Sequence, residues 1–404
     1  MSKTHSTVIV VGGGGMGLAT AWRLAKGGHD VRVLEQFKFF HDRGSSHGEH
    51  RIIRRTYNDS LYSELMIHAY RLWEKLEKDS GQQLKYIVGG IEFGPDDDPT
   101  LLDIIRINRE LNIPNQVMTA VEASKRYPQF RLRPNFLMIF CPENGFLAVD
   151  DCIRAHAEQA LKYGAVLQDE EPVLEIRPLA HGAEVRTNRA TYTCDKLILT
   201  VGSYVKNLLK QLGLDAPYTV ELNQSHWFKV DHPDWFTPDR FPVFIVRHDR
   251  DTMGGMYGFP TFRNPGIKVS VHHSNHYIDV GQYDRIPREA TIERVRQWIT
   301  EFIPDARGEL LNVVTCLYEF PPDEHFVLSL HPQYPDIAMA NMAGHGYKSA
   351  ALVGEIMAQL ALEGKTEYDL TGFGVDRFFS ETAARRPAIH VDIGRARKGE
   401  TSTK

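Results

Sequence analysis

The chain has few cysteines, no long hydrophobic run and no large excess of charge of one sign. Its 404 residues include four widely spaced cysteines, so neither a disulfide framework nor a metal site is predicted. No apolar run is long enough to span a bilayer, and the polar residues 1–7 lead directly into an apolar strand, so no secretory signal is expected. The formal net charge of −5 does not favour binding to nucleic acid or an anionic membrane.

The remaining composition is that of an ordinary globular protein. Apolar residues make up 42% and charged residues 25% of the chain, and its length suffices for two domains. The few cysteines favour a reducing compartment, and we expect a cytoplasmic protein. The C-terminal Ser402-Thr403-Lys404 does not match the peroxisomal Ser-Lys-Leu signal, although a peroxisomal location stays open.

The most informative segment is a glycine-rich turn that follows the apolar residues 8–11. Its candidate cofactor-binding residues are Gly12, Gly14, Gly15, Met16 and Gly17. Glycines in the pattern G-x-G-x-x-G allow a tight turn, close approach of a pyrophosphate, and packing of the following helix on the sheet. A second apolar run ends at Glu35, eighteen residues beyond Gly17, where a carboxylate can bind a ribose. The pattern predicts a dinucleotide site.

Strand and helix patterns typical of nucleotide-binding proteins occur near the start, middle and end of the chain. Between them, residues 220–280 alternate apolar and polar side chains, as is typical of an antiparallel sheet, and residues 86–93 are predicted to form one strand. We expect an α/β fold with a Rossmann-type cofactor domain and an interleaved substrate domain built on a mixed or antiparallel sheet. The predicted boundaries are 1–85, 148–218 and 322–390 for the cofactor domain, 86–147 and 219–321 for the substrate domain, and 391–404 for a disordered tail.

Taken in order along the chain, the motifs resemble the monomeric sarcosine oxidase family of flavin-dependent amine oxidases, in particular the branch of pipecolate and N-methyl amino acid oxidases. The matching segments are 12–17, 44–54, 257–260, 268–273, 315–318, 323–326 and 344–348. The resemblance implies FAD as the cofactor, bonded through a cysteine sulfur to its 8α carbon, and Cys316 occupies the matching position. Because a thiolate is the reactive form, we expect this sulfur to be exposed and activated.

The serine-rich segment 44–50 contributes further candidate cofactor contacts. Backbone and hydroxyl donors in such a loop can reach a pyrophosphate or the edge of a flavin. The resemblance implies cofactor-binding roles for Ser45, Ser46, His47 and Arg51. From the residues alone, a solvated basic face is the alternative interpretation of the arginines that follow this loop.

The resemblance also implies a site for the substrate carboxylate. Arg54 matches the arginine that pairs with this group, and a planar guanidinium suits bidentate binding of a carboxylate. Lys348 matches a second residue at the carboxylate and is assigned to the cofactor site as well. Gly344, His345 and Gly346 precede a predicted helix whose N-terminus can stabilise negative charge on a reduced flavin. His345 is either a flavin contact or an ordinary loop residue.

Lys268 lies in an alternating segment that places it on one face with Ser270 and His272. The residues alone leave two interpretations open, an inward functional lysine or an outward lysine on an exposed sheet. The resemblance implies that Lys268 lies over flavin N5 and assists the reaction with O2, and that His272 belongs to the substrate site. His273 is interpreted as a surface residue or a neighbour of the site.

Two tyrosines complete the predicted substrate pocket. Tyr257 and Tyr318 match aromatic residues that line it, while core packing is an alternative interpretation of Tyr257. Residues 241–246 are a further candidate lining segment, which the spacing alone does not place.

The function implied is an FAD-dependent, monomeric oxidase of small secondary, N-methyl or cyclic amino acids. The C–H next to nitrogen delivers a hydride equivalent to flavin N5, and O2 is then reduced to hydrogen peroxide. Three alternatives stay open. They are a dehydrogenase that uses a quinone or carrier protein, a redox-silent flavoprotein, and a NAD-dependent enzyme, which would leave residues 44–55 and Cys316 unexplained.

Overall fold

The computed structural model describes residues 4–247 and 255–386. Its strands, in chain order, are β1 His5–Val11, β2 Val31–Leu34, β3 His50–Ile53, β4 Lys85–Ile87, β5 Gly90–Pro95, β6 Gln116–Thr119, β7 Phe136–Cys141, β8 Gly145–Ala148, β9 Val166–Gln168, β10 Val173–Pro178, β11 Ala183–Thr187, β12 Thr191–Leu199, β13 Thr219–Phe228, β14 Val243–Val246, β15 Met256–Phe259, β16 Ile267–Val271, β17 Leu310–Phe320, β18 Val327–Leu330 and β19 Ile337–Asn341. Its α-helices are α1 Gly15–Lys26, α2 Ser60–Ser80, α3 Pro99–Glu110, α4 Ala120–Arg126, α5 Val149–Lys162, α6 Val205–Gln211, α7 Glu289–Phe302 and α8 Ala350–Glu363.

The helix ends follow from local sequence. Asp59 caps α2 by accepting a hydrogen bond from the backbone N–H of Leu61, and Gly81 ends that helix in the left-handed conformation. Thr119 and Glu122 form a reciprocal capping box at the start of α4. Among the helices of the described residues, none is long and apolar enough to cross a membrane.

The first sheet has the strand order β10-β11-β12-β1-β2-β9, and β19 joins β12 and β18. Strand β1 pairs in parallel with both β2 and β12, which is the arrangement expected of a Rossmann-type sheet. Val8, Ile9 and Val10 are fully buried, because strands in such a sheet are covered on both faces. This sheet therefore presents the turn between β1 and α1 at the carboxyl ends of parallel strands.

The second sheet has the order β17-β13-β16-β15-β14-β5-β7-β6. Its pairings are antiparallel except for the parallel pair of β14 with β5, so the predicted mixed or antiparallel sheet is confirmed. Phe93, Phe130 and Phe244 are fully buried in the core on this sheet. A third sheet has the order β3-β8-β4.

The predicted fold class is confirmed, whereas the domain boundaries stay a prediction. One strand was expected over residues 86–93, and this is wrong, because the chain turns at Gly89, which has a φ of +76°. Strand β4 on one side of this turn pairs with β8, while β5 on the other side pairs with β7 and β14. The predicted tail 391–404 lies outside the described residues.

Candidate active site

A cavity of about 530 Å³ is lined by residues from both large sheets. Its wall includes most of the candidate site residues, namely Gly12, Gly14, Gly15, Met16, Glu35, Ser45, Ser46, Arg51, Arg54, Tyr257, His272, Tyr318, Gly344, His345, Gly346 and Lys348. Four further candidates lie outside this lining, namely Gly17, His47, Lys268 and Cys316. The structure therefore brings most of the predicted cofactor and substrate residues to one cavity.

The glycine-rich turn has the features that a pyrophosphate needs. Helix α1 begins at Gly15, and its N-cap residue Gly14 supplies no side-chain hydrogen bond, so the wall of the cavity contains a helix N-terminus without a side-chain cap. The N–H of Gly15 donates to Ser46 Oγ at 3.0 Å, which ties the serine-rich loop to this helix. A glycine-lined helix start of this kind fits the phosphates of a dinucleotide.

Glu35 lies at the end of β2, as the sequence predicts for a ribose-binding acid. Its side chain accepts hydrogen bonds from the backbone N–H of Gly13 at 2.7 Å and of Phe37 at 2.9 Å. His41 Nε2 lies 3.3 Å from the same carboxylate. An ionised carboxylate has about four acceptor positions, so Glu35 retains capacity for ribose hydroxyl groups.

The segment that contains Arg51 is held against the rest of the site and is not a solvated face. Arg51 donates to the carbonyl oxygens of His50 at 2.8 Å and Ser45 at 3.0 Å, and Ser45 Oγ donates to the carbonyl oxygen of Leu317. Burial, followed by the nearby Arg51 guanidinium, lowers the pKa of His47 to about 4. His47 is therefore neutral at neutral pH.

Cys316 lies on β17 beside Tyr318 and Phe320 and is only 7% exposed. Burial raises the pKa of this thiol, while Arg51 and Lys268 act in the opposite direction. The expectation of an exposed, activated thiol is therefore wrong for this structure, because the sulfur lies in an aromatic cluster and desolvation disfavours its thiolate.

Lys268 is buried, which excludes the alternative of an exposed sheet face. It is 1% exposed, and its Nζ donates to the carbonyl oxygens of Gly48 at 2.6 Å and His50 at 3.0 Å. The same atom lies 5.0 Å from the ring centre of Phe259 and 5.3 Å from that of Trp227. Burial, and then Arg51, lower the pKa of Lys268 well below its usual value. The carbonyl groups and rings favour the ammonium form against this desolvation.

Arg54 lines the cavity and pairs with Glu92, which also binds Arg247, and no sequence motif indicates these two residues. Its Nη1 pairs with Glu92 Oε1, and Arg247 Nη2 lies 3.1 Å from the other oxygen of Glu92. The two arginines hold the pKa of Glu92 below its usual value, although burial acts to raise it. Glu92 is therefore an ionised carboxylate shared by two guanidinium groups.

Lys348 brings a further basic group to this region. Its Nζ donates to the carbonyl oxygen of His345 at 2.6 Å and lies 5.5 Å from the ring centre of Tyr57. The guanidinium of Arg54 lies 4.4 Å from the same ring. Burial, followed by repulsion from Arg54, lowers the pKa of Lys348 well below its usual value. An anion bound between these two groups would favour the protonated lysine.

Aromatic side chains form the adjoining wall. The hydroxyl groups of Tyr257 and Tyr318 are 2.7 Å apart and share a hydrogen bond. The ring of His272 lies 6.0 Å from that of Tyr318 and 6.5 Å from that of His345. Of the candidate segment 241–246, Ile245 lines the cavity, whereas Phe244 belongs to the buried core of the second sheet.

His273 is buried next to the cavity and is not a surface residue. Its ring nitrogens lie 3.3 Å from Glu221 Oε1 and 3.5 Å from Glu324 Oε2. These carboxylates raise the pKa of His273 to about 9 against the opposing effect of burial. His272, His273 and Glu324 are close enough to hold a metal ion, but an imidazolium with both nitrogens facing carboxylates is a poor ligand.

Glu92 and Arg247 are not part of any motif, but the sequence contains an indication that Glu92 has a partner. Glu92 is an acid inside an apolar strand, and a buried charge requires a partner. Arg247 follows the apolar strand β14 and satisfies this requirement. The contact joins positions 155 residues apart, so the pairing itself is visible only in the fold.

The chain matches the DAO family, described as FAD dependent oxidoreductase, over residues 7–360. Monomeric sarcosine oxidase of Streptomyces avermitilis is 33% identical over 389 residues, which cover 95% of this chain and 100% of the relative. Peroxisomal sarcosine oxidase of Homo sapiens is 32% identical over 381 residues, which cover 92% of this chain and 95% of the relative.

A solved structure agrees with these relatives. NikD, described as an unusual amino acid oxidase essential for nikkomycin biosynthesis, superposes in its open form with a TM-score of 0.82 at 27% identity. The match covers 95% of this chain and 98% of that structure. The resemblance inferred from the motifs is confirmed. The chain belongs to the DAO family of FAD-dependent oxidoreductases and, within it, to the monomeric sarcosine oxidase family of flavin-dependent amino acid oxidases.

Proposed function

We propose that this protein oxidises small secondary, N-methyl or cyclic amino acids, such as sarcosine or pipecolate, with O2 as the electron acceptor. The observation that carries the proposal is the single cavity, which joins the dinucleotide turn around Gly14 to a cationic region formed by Arg54 and Lys348. An amino acid held there by its carboxylate would lie beside the cofactor.

Arg54 and Lys348 are the proposed carboxylate ligands. Arg54 keeps donors beyond the one that binds Glu92, because a guanidinium has five N–H groups. Lys348 contributes an ammonium near the ring of Tyr57, which Arg54 also contacts. Both side chains are largely buried, so their interaction with an anion is screened less than it would be at the surface.

The same cations favour the reactive form of the substrate amine. Positive charge near an amine lowers its pKa, so bound substrate loses the ammonium proton more readily than free substrate. His272 lines the cavity and is the proposed residue that tunes this proton. Tyr257 and Tyr318 exclude water from the adjoining wall.

When bound, FAD accepts a hydride equivalent from the C–H bond beside nitrogen and passes two electrons to O2 to give hydrogen peroxide. Lys268 is proposed to supply the fixed positive charge that stabilises reduced oxygen. Cys316 is the proposed site of covalent attachment through the 8α carbon. Burial raises the pKa of its thiol, and the nearby Arg51 and Lys268 offset part of this rise.

A cytoplasmic, monomeric enzyme is part of the proposal. The four cysteines are all free and buried, which fits a reducing compartment. The names of the relatives support the monomeric state, and size-exclusion chromatography with light scattering measures it directly.

The proposal is tested by an anaerobic screen of sarcosine, N-methyl-L-alanine, N-methyl-L-aspartate, L-pipecolate and L-proline for bleaching of the flavin absorbance. We expect at least one of these amines to bleach the flavin and, in air, to yield stoichiometric hydrogen peroxide. Bleaching without peroxide would favour a dehydrogenase that uses a quinone or carrier protein. Failure of every amine to bleach the flavin would favour a redox-silent flavoprotein.

A further inference from the structure

Arg247 is a basic residue of the cavity wall to which the proposed reaction assigns no role. It follows β14, and its backbone N–H donates to the carbonyl oxygen of Phe93 at 2.8 Å, which fixes the start of the side chain. Its side chain is 16% exposed and contacts the cavity. Arg247 is therefore a partly buried guanidinium anchored in the cavity wall.

The charges at this end of the cavity do not cancel. Glu92 lies behind the wall, and its two oxygens are divided between Arg54 and Arg247. Among the described residues that line the cavity, the carboxylates are Glu35, which binds the glycine-rich turn, and Glu319, which binds Ser203. Arg54, Arg247 and Lys348 therefore face the single carboxylate of Glu92. Binding of a substrate carboxylate favours the protonated form of Lys348, and one positive charge then stays uncompensated.

The donors of Arg247 are also incompletely used. Its Nη2 binds Glu92, whereas its Nε is buried and has no hydrogen-bond partner within the described part of the chain. A buried donor without an acceptor is energetically unfavourable, so an anion that accepts a hydrogen bond from this Nε would stabilise the site.

We propose that Arg247 binds a second acidic group of the substrate, so that the preferred substrates are N-methyl or cyclic amino acids with an acidic side chain. This inference rests on the proposed function and specifies its substrate class. One carboxylate bridges Arg54 and Arg247, so the two guanidinium groups are adjacent. The two acidic groups of the substrate must therefore be close together, as in an N-methylated aspartate.

The test compares N-methyl-L-aspartate with its nearly isosteric neutral analogue N-methyl-L-asparagine. We expect the holoenzyme to favour the acidic compound by about tenfold or more in kcat/KM, which is the effect of one charge-assisted contact. In R247M this ratio should approach one, while R247K should retain part of it. The control R106M, which changes an exposed arginine of α3, should keep the wild-type ratio.

A binding measurement separates failure of this inference from failure of the proposed function. Succinate and its neutral analogue succinamate are titrated while the flavin absorbance is recorded, which requires no turnover. Succinate should bind about tenfold more tightly to the wild type and lose that advantage in R247M. Equal binding of both compounds, or a preference that R247M retains, would overturn the assignment of Arg247 whether or not any amine is oxidised.

Discussion

A side chain at Gly17 would overlap the carbonyl oxygen of Gly12. A Cβ built at that position would also lie 2.6 Å from Thr200 Oγ1, directly after β12, the strand that neighbours β1. Gly17, the third glycine of the motif, is therefore required because the backbone of α1 lies too close to the backbone of Gly12 to leave room for a side chain. The same contact fixes the direction of the helix N-terminus toward the cavity.

Substitution of Gly17 by alanine should disrupt the cofactor site. The added methyl group has no space, and overpacking of this kind costs roughly 1–3 kcal/mol. We expect G17A to lower both the flavin content per protein and the thermal midpoint. G281A is the matched control, because a Cβ there would make only ordinary contact with Asp279. If G17A kept the wild-type flavin content, the cofactor site would not require a glycine at this position.

Substitution of Cys316 should abolish covalent attachment of the flavin. We expect the wild-type protein to retain its yellow colour after acid precipitation and C316A to release free flavin into the supernatant. Mass spectrometry of the intact chain measures the added mass directly. C194A changes another buried cysteine and should keep the adduct. Free flavin in the wild-type supernatant would contradict the linkage.

The parts of this site that depend on local sequence could be predicted. The glycines of residues 12–17 and the acid Glu35 follow from short-range rules, since the turn, the helix start and the strand end lie within one β-α-β unit. Burial of Lys268 could be expected only with help from the family pattern, because alternation alone does not reveal that both faces of β16 are covered.

The pairing of Glu92 with Arg54 and Arg247 could not be predicted from local sequence, although the family resemblance implies a role for Arg54. The three residues come from distant segments of the chain. Only the parallel pairing of β5 with β14 brings Glu92 next to Arg247. The prediction that the Cys316 sulfur is exposed is also wrong. Its burial depends on how β17 packs with aromatic neighbours, and no local pattern carries that information.

Arg54 should control the substrate concentration at half-saturation. Loss of a charge-assisted contact with a carboxylate costs roughly 1.5–3 kcal/mol, so R54M should lower kcat/KM by about 10–100-fold, mainly through KM. R54K keeps the charge without the planar fork and should fall between R54M and the wild type. Steady-state kinetics with the best substrate of the screen checks this, and an unchanged KM in R54M would remove Arg54 from the carboxylate site.

His273 should make stability depend on pH in the alkaline range. Its pKa is raised in the folded protein to about 9 by Glu221 and Glu324, against an ordinary value of 6.5. The protonated His273 therefore contributes to the free energy of unfolding in full below pH 6.5, and this contribution is lost as the pH rises through 9. Its upper limit is about 3 kcal/mol.

Thermal unfolding between pH 6 and pH 10 measures this contribution. The wild-type midpoint should fall over the range, while H273Q should start lower and fall less. H68Q, which changes a histidine of α2 beside Tyr368, is the control and should follow the wild-type curve. Parallel curves for H273Q and the wild type would show that His273 does not supply the dependence.

Lys268 should affect the reaction with oxygen more than the reaction with substrate. Its Nζ is fixed by the carbonyl oxygens of Gly48 and His50, so its charge is available without reorganisation when O2 gains electrons. Rapid mixing of reduced enzyme with O2 should show that K268M slows reoxidation by about 100-fold or more, whereas anaerobic reduction by substrate slows far less. The exposed Lys125 of α4 provides the control K125M.

The pH dependence of reoxidation supplies the decisive comparison. Burial lowers the pKa of Lys268, so its ammonium group loses its proton at a pH below the usual pKa of lysine. The wild-type rate constant for reoxidation should therefore fall as the pH rises toward 10, and this fall should be absent in K268M. If K268M slowed both half-reactions equally, or retained the wild-type pH profile, the positive charge at O2 would have to come from another residue.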